Sequence, residues 1–280
     1  MAKQSLAEHL AVCSWSLHPK DPADLIAQLK QLGMDKVQLA LDPIREGGAW
    51  ADAGDRLADA GVSIVSGMFG TVGEDYSTLE TIRRTGGVVP EETWPTNWAN
   101  IRRLVPIATS LGLDLVTFHA GFLPEEPGEA AYGKLVRRLG QIADAFADEG
   151  IDLAFETGQE DAETLKGFLD RLDKPNVGVN FDPANMILYA KGDPVASVKV
   201  LSAYLKSVHV KDAVETDTPG QWGSEVVVGT GQVDWPAFFG ALKEGRFAGW
   251  LCIEREAGDQ RVADIRAARD FVLKTIGKAN

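Results

Sequence analysis

Histidine and cysteine are scarce in this chain, with four of the first and two of the second among 280 residues. Two cysteines, Cys13 and Cys252, cannot build a disulfide framework, so reduced thiols and a cytoplasmic protein are expected. Basic charge is also short: 28 Lys and Arg against 41 Asp and Glu leave a formal net charge of −13. That balance disfavours a polyanionic partner and argues against nucleic acid. The densest basic groupings, Arg102/Arg103 and Arg137/Arg138, read as solvated helix faces. Long apolar runs are missing too, and none approaches the roughly 18 residues of a membrane span. The opening MAKQSLAEHLAVCSW has no extended apolar stretch before a small-residue cleavage site, so no secretory leader is expected.

What is present is a repeat. Helical stretches end in Gly and a short apolar run follows within two or three residues: LKQLGMDKVQLAL, LADAGVSIVSGMF, ATSLGLDLVTFHA and ADEGIDLAFE. Gly33, Gly61, Gly112 and Gly150 suit the left-handed residue that closes a helix, where a Cβ is penalised. With His9 to Trp15 and the runs near 177, 205 and 250, eight strand candidates alternate with helices. This pattern predicts an α/β protein, a (β/α)8 TIM barrel forming one domain over residues 1–280. A doubly wound open sheet would place a glycine-rich phosphate loop after the first strand, and none is present.

Four side chains stand at or next to the ends of runs in the second half: Glu156 (IDLAFE), Asp182 (VGVNFD), His209 (LKSVH) and Glu254 (WLCIE). Strand parity gives them a common direction, because alternate residues face opposite sides. Glu156 shares its side with Ala154, Asp182 with Asn180, His209 with Ser207, and Glu254 with Cys252, while the large apolar neighbours point away. His119 and Thr117 fall on the same inner side. Two carboxylates about 4 Å apart repel by roughly 4 kcal/mol at an effective dielectric near 20, so three in one mouth call for a cation. Singly, each residue also fits a salt-bridged glutamate or a satisfied core histidine; it is the joint placement that points to metal. Three carboxylates and one imidazole form an oxygen-rich set suited to Mn²⁺, with Mg²⁺, Co²⁺ or Zn²⁺ as alternatives.

ETG at Glu156, FDPANM from Phe181 to Met186, HVKD from His209 to Asp212, GTGQVDW from Gly229 to Trp235 and CIERE around Glu254 together resemble the xylose isomerase-like TIM-barrel superfamily. The likeness runs from Ala11 to Ile276. The group includes sugar isomerases and epimerases, inosose dehydratases and apurinic endonucleases. The resemblance implies metal ligation by Glu156, Asp182, His209 and Glu254, and a second role for Glu156 and Glu254 as a proton-transfer pair. It implies a metal-dependent isomerase or epimerase acting through an enediolate on a small carbohydrate, phosphorylated or free, and a homo-oligomer. The alternatives are a lyase that eliminates from a keto-sugar, 3-keto-glycoside or inosose, and a non-catalytic sugar-binding barrel. With His9, His18, His119 and His209 as the only histidines, the three-metal cluster of the endonuclease branch cannot be assembled in the same way.

Several residues bear on which reaction applies. Asn185 stands where many epimerases of the superfamily have a histidine, keeping a donor for a substrate hydroxyl but no titratable group. Lys211 has inward parity and would act as acid or base if its pKa were lowered, a salt bridge being the other reading. His119 is expected to meet a substrate hydroxyl or a ligand carboxylate. Trp15, at the end of strand one, and Trp94, Trp98 and Trp222 near upper loops are candidates for packing on a sugar face. The long segment Gly70 to Pro95 reads as a lid over the site. Gly229 and Gly231 offer backbone amides to a phosphate.

Overall fold

A computed structural model describes residues 6–124, 130–218 and 220–278. Eight parallel strands close into a barrel: β1 (Leu10–Cys13), β2 (Lys36–Ala40), β3 (Ser63–Met68), β4 (Leu115–Phe118), β5 (Asp152–Glu156), β6 (Val177–Phe181), β7 (Leu205–Val210) and β10 (Trp250–Ile253). Two further strands, β8 (Asp212–Val214) and β9 (Ser224–Val226), form an antiparallel pair after β7. The barrel closes where Ala11 of β1 lies opposite Cys252 of β10. Helices follow the strands and cover the outside, as the alternating pattern predicts. No helix among the described residues is long and apolar enough to cross a membrane.

The strand faces divide as parity requires. Val12, Val37, Leu39, Val116, Phe118, Leu153, Phe155, Val179, Phe181, Val208, Val210, Leu251 and Ile253 face the helices and are buried. Ala11, Cys13 and Cys252 form a separate small cluster inside the barrel. The buried polar residues Gln38, Ser66, Thr117, Asn180, Ser207 and His209 share that interior. Register sets their relative height: Cys252 pairs with His209, and Glu156 with Asn180. The four expected cap glycines, Gly33, Gly61, Gly112 and Gly150, have φ of 64°, 73°, 65° and 74°.

Two readings of the sequence need correction. Arg138 does not lie on a solvated face; it is 4% exposed and donates to the carbonyls of Val88 and Val89 at 2.9 and 2.8 Å. Its guanidinium also lies 4.7 Å from the ring centre of Trp94 and so ties the helix Ala130–Ala147 to the segment before Trp94. That segment, 70–95, is not an open loop throughout: it contains a helix, Leu79–Thr85, started by a capping box between Thr78 and Thr81.

Candidate metal centre

Each ligand candidate is placed by a local device. Glu156 is the last residue of β5. Asp182 follows β6 and caps the helix Pro183–Leu188, its Oδ1 accepting from the amides of Ala184 and Asn185 at 2.8 and 3.0 Å. Capping uses one carboxylate oxygen and leaves Oδ2 to face the barrel mouth. Thr157 locks the turn, accepting from the Asp182 amide at 2.8 Å and donating to the Asp182 carbonyl at 3.2 Å. His209 is the fifth residue of β7, and Glu254 follows β10 directly.

The four groups converge, each offering one ligand atom within 4.8 Å of the others. His209 Nδ1 lies 3.3 Å from both Glu156 Oε1 and Glu254 Oε2, and 4.0 Å from Asp182 Oδ2. Gln38 Oε1 is 2.8 Å from His209 Nε2. An amide oxygen only accepts, so Gln38 favours a proton on Nε2 with Nδ1 toward the carboxylates, while the Asn180 amide nitrogen, 3.0 Å from the same Nε2, favours the opposite tautomer. Both His209 Nδ1 and Asp182 Oδ2 are buried without a hydrogen-bond partner. Buried polar atoms are rarely left so. Two orphans aimed into a cluster of carboxylates fit a divalent cation, and the donor set fits it as well. Cys13, His209 and Glu254 also lie within coordinating reach of one another, but burial pushes the Cys13 thiol well above its usual value, which disfavours thiolate.

Charge in the centre is balanced unevenly. Burial, with Glu254 and Glu156 nearby, pushes Asp182 up to about 7 against the pull of Lys211. Burial also opposes ionisation of Glu156 and Glu254, yet His119 and His209 hold Glu156 below its usual value, and His209 and Lys211 hold Glu254 well below. Burial works against a charged His209, but Glu254 and Glu156 raise it well above the ordinary histidine value.

The other sequence candidates divide. Trp15 lies beyond β1, in the 3-10 turn Ser14–Leu17, and its indole N–H donates to Glu254 Oε1 at 2.7 Å. His119 Nε2 is 3.6 Å from Glu156 Oε2, and its Nδ1 is buried without a partner. Asn185 does not present a free donor: its side-chain amide donates to Glu156 Oε1 at 3.0 Å and to the Thr157 carbonyl at 3.2 Å. It orients the glutamate instead. Lys211 is brought to the centre, 2.9 Å from Glu254, 2.8 Å from Glu256 and 3.3 Å from Asp182. Its pKa is not lowered. Burial works against the ammonium, but these carboxylates raise it well above the usual value, which makes Lys211 a cation rather than a base. Trp94 and Trp98 stack on each other at 5.7 Å between ring centres and carry Arg138 and Arg102 on their faces, a packing arrangement. Trp222 meets Tyr189 at 4.8 Å, and its Nε1 is buried without a partner.

Gln38 and Glu256 are the participants that sequence reasoning passed over. Gln38 carried a signal, since the large apolar Val37 and Leu39 on either side of it mark it as inward. Gly229 and Gly231 offer no free amides to a phosphate. The Asp212 carboxylate already accepts from Gly229, Gly231 and Val233 at 2.8, 3.1 and 3.2 Å, and from the Trp235 indole at 3.0 Å.

Comparison with known proteins agrees with this architecture. A family model described as xylose isomerase-like TIM barrel matches residues 26–275. A xylose isomerase domain protein from Planctomyces limnophilus superposes with a TM-score of 0.84 at 32% identity, over 91% of this chain and 92% of that one. A xylose isomerase-like TIM barrel protein from Mycobacterium smegmatis, solved in complex with magnesium, gives 0.73 at 16% identity over 99% of both chains. L-ribulose 3-epimerase and the probable 3-DHS dehydratase of Bacillus anthracis share the fold at 16% and 14% identity, each with a TM-score of 0.72. They cover 96% and 94% of this chain, and 95% and 98% of their own. The uncharacterized protein YihM of Escherichia coli is 25% identical over 146 residues, 52% of this chain and 44% of its own length. This chain thus aligns with less than half of that curated relative.

Proposed function

The chain belongs to the xylose isomerase-like TIM barrel family, and from that premise we propose that it is a divalent-metal-dependent isomerase or epimerase of a keto-sugar, working through an enediolate. The observation that carries this reading is the convergence of Glu156 and Glu254 on His209 Nδ1 at 3.3 Å each, with Nδ1 and Asp182 Oδ2 lacking a hydrogen-bond partner and Oδ2 facing only the Lys211 ammonium at 3.3 Å. Glu156, Asp182, His209 and Glu254 would hold the cation, with Mn²⁺ our expected ion. When bound, such a cation supplies Lewis acidity toward a carbonyl and its neighbouring hydroxyl.

The chain's own residues do the rest. Glu156, oriented by Asn185, takes the proton from the carbon beside the carbonyl, and Glu254, oriented by Trp15 and handed a proton by the charged Lys211 at 2.9 Å, returns one from the other side. Each is buried, which excludes bulk water from the transfer. The charged Lys211 favours negative charge developing on substrate oxygen. The same residue supports a second reading, elimination from a keto-sugar, because a protonated amine beside the centre can donate to a departing oxygen.

Glu156→Gln keeps the shape and removes the base. It is expected to cut exchange of solvent deuterium into ketoses by at least about 10³-fold, as general-base loss does. Chelation should abolish exchange in the parent protein and Mn²⁺ should restore it. Full exchange by metal-free protein, or by Glu156→Gln, would reject the assignment, and loss of a hydroxyl without exchange at the neighbouring carbon would select elimination.

A further inference from the structure

A cavity of about 490 Å³ lies beside the metal centre. Its apolar walls are Trp15, Pro19, Pro43 and Trp50, and Ser14 and Glu256 add polar groups. Two of these residues are shared with the centre: Trp15 donates to Glu254 at 2.7 Å, and Glu256 accepts from Lys211 at 2.8 Å. A molecule held at the metal centre is therefore next to this space. None of the proton transfers proposed above uses it.

The cavity is built from stiff parts. Pro43 opens the helix Asp42–Glu46, and Trp50 ends the short turn Gly48–Trp50. The chain reaches Trp50 through Gly47 and Gly48 at φ of 85° and 66°, conformations that suit glycine. Two indoles and two prolines give flat apolar faces that lose little freedom on binding. A cavity of this size with a few polar groups among apolar walls has the usual make-up of a small-molecule site.

Its polar groups select against an anion. Ser14 accepts the Ala40 amide at 2.9 Å and keeps its own proton to donate. The Glu256 carboxylate is 55% exposed and adds negative charge. Arg261 also reaches the cavity, but its nitrogens donate to the carbonyls of Gly258, Arg255 and Glu256. Three of its five N–H groups are thus already taken by backbone oxygens, and His18 stands at the exposed rim.

We infer that this cavity is a subsite for an uncharged ring covalently attached to the reacting sugar, so that the substrate is a glycosylated keto-sugar rather than a free monosaccharide. The inference rests on the keto-sugar reading of the metal centre. Apolar ring faces pack on Trp15 and Trp50, and ring hydroxyls bond to Ser14 and Glu256.

The test uses Mg²⁺-loaded protein with three probes: D-fructose, the glucosyl-fructose turanose, and phenyl β-D-glucopyranoside. Calorimetry should show turanose binding at least about tenfold tighter than D-fructose, and saturation-transfer NMR should mark its glucosyl ring. Trp50→Ala should bring the turanose-to-fructose ratio close to one, and Trp50→Phe, which keeps an aromatic face, should retain most of it. Stronger saturation of the phenyl group than of the glucosyl ring would identify an aryl attachment; the reverse would identify a second sugar. Equal affinities for turanose and D-fructose, with no transfer to the phenyl glucoside, would overturn the subsite even where metal-dependent exchange into D-fructose persists. Trp50-dependent turanose binding without any exchange would uphold the subsite and count against the reaction assigned to the centre.

Discussion

At the scale of single residues, the amide of Gln38 decides how His209 is presented. Its oxygen meets Nε2 at 2.8 Å, and its nitrogen donates to Thr117 Oγ1 at 3.0 Å, which holds the amide in place. Gln38→Leu removes the acceptor and frees the imidazole to place its proton on Nδ1. Loss of such a supporting partner costs about 10- to 100-fold in metal affinity, and that is the expected drop in a calorimetric titration with Mn²⁺. Unchanged affinity would show that Gln38 does not orient the ligand. Glu160 illustrates a different cost. It is 9% exposed, and burial pushes its carboxyl up to about 8 despite Lys191. A carboxyl raised in the fold binds its proton more tightly there than in the unfolded chain, so stability falls as pH rises from about 4.5 toward 8. Glu160→Gln should remove that loss. It is expected to match the parent near pH 4.5 and exceed it by on the order of 2 kcal/mol at pH 8, as read from urea denaturation at the two pH values. A variant no more stable than the parent at pH 8 would contradict the burial argument.

At the scale of elements, the turn after β9 is organised by one side chain. Asp212, at the start of β8, gathers the amides of Gly229, Gly231 and Val233 and the indole of Trp235. Asp212→Ala would leave four donors unpaired, the Val233 amide and the Trp235 indole among them buried, at a cost of about 3 kcal/mol or more. For a chain of this length that corresponds to a thermal midpoint lower by about 6–12 °C. A midpoint within about 2 °C of the parent would show that the turn is held by other means. The same motif marks the limit of what the sequence reveals. Strand parity and cap glycines were legible because they are local and periodic, and they placed Glu156, Asp182, His209 and Glu254 on one inner face. Asp212 in the turn, Arg138 beneath residues 88–90 and Asn185 against Glu156 were read wrongly or left open. In each case the deciding partner lies 17 to 50 positions away, a distance no periodicity encodes. The sign of the Lys211 shift was hidden for the same reason, since it depends on carboxylates from three other segments.

At the scale of the whole molecule, the formal charge of −13 acts together with the way local cations are committed. Lys211 is shared by Asp182, Glu254 and Glu256. Arg255 is bound to Glu225 and Asp264, and Arg261 donates to backbone carbonyls. The amides of the Gly229–Gly231 turn, which would otherwise cradle an anion, already face Asp212. A phosphorylated ketose would therefore meet an acidic mouth without a released cation to pair with, whereas a divalent metal ion is drawn toward the same mouth. Metal-dependent deuterium exchange should accordingly show kcat/KM at least about tenfold lower for D-fructose 6-phosphate than for D-fructose at low ionic strength. Because the repulsion includes exposed charges about a Debye length away, raising NaCl to roughly 0.5 M should narrow the gap. A preference for the phosphate ester at low salt would mean that one of these cations is released when substrate binds, and Arg261→Gln would then identify it by abolishing the preference.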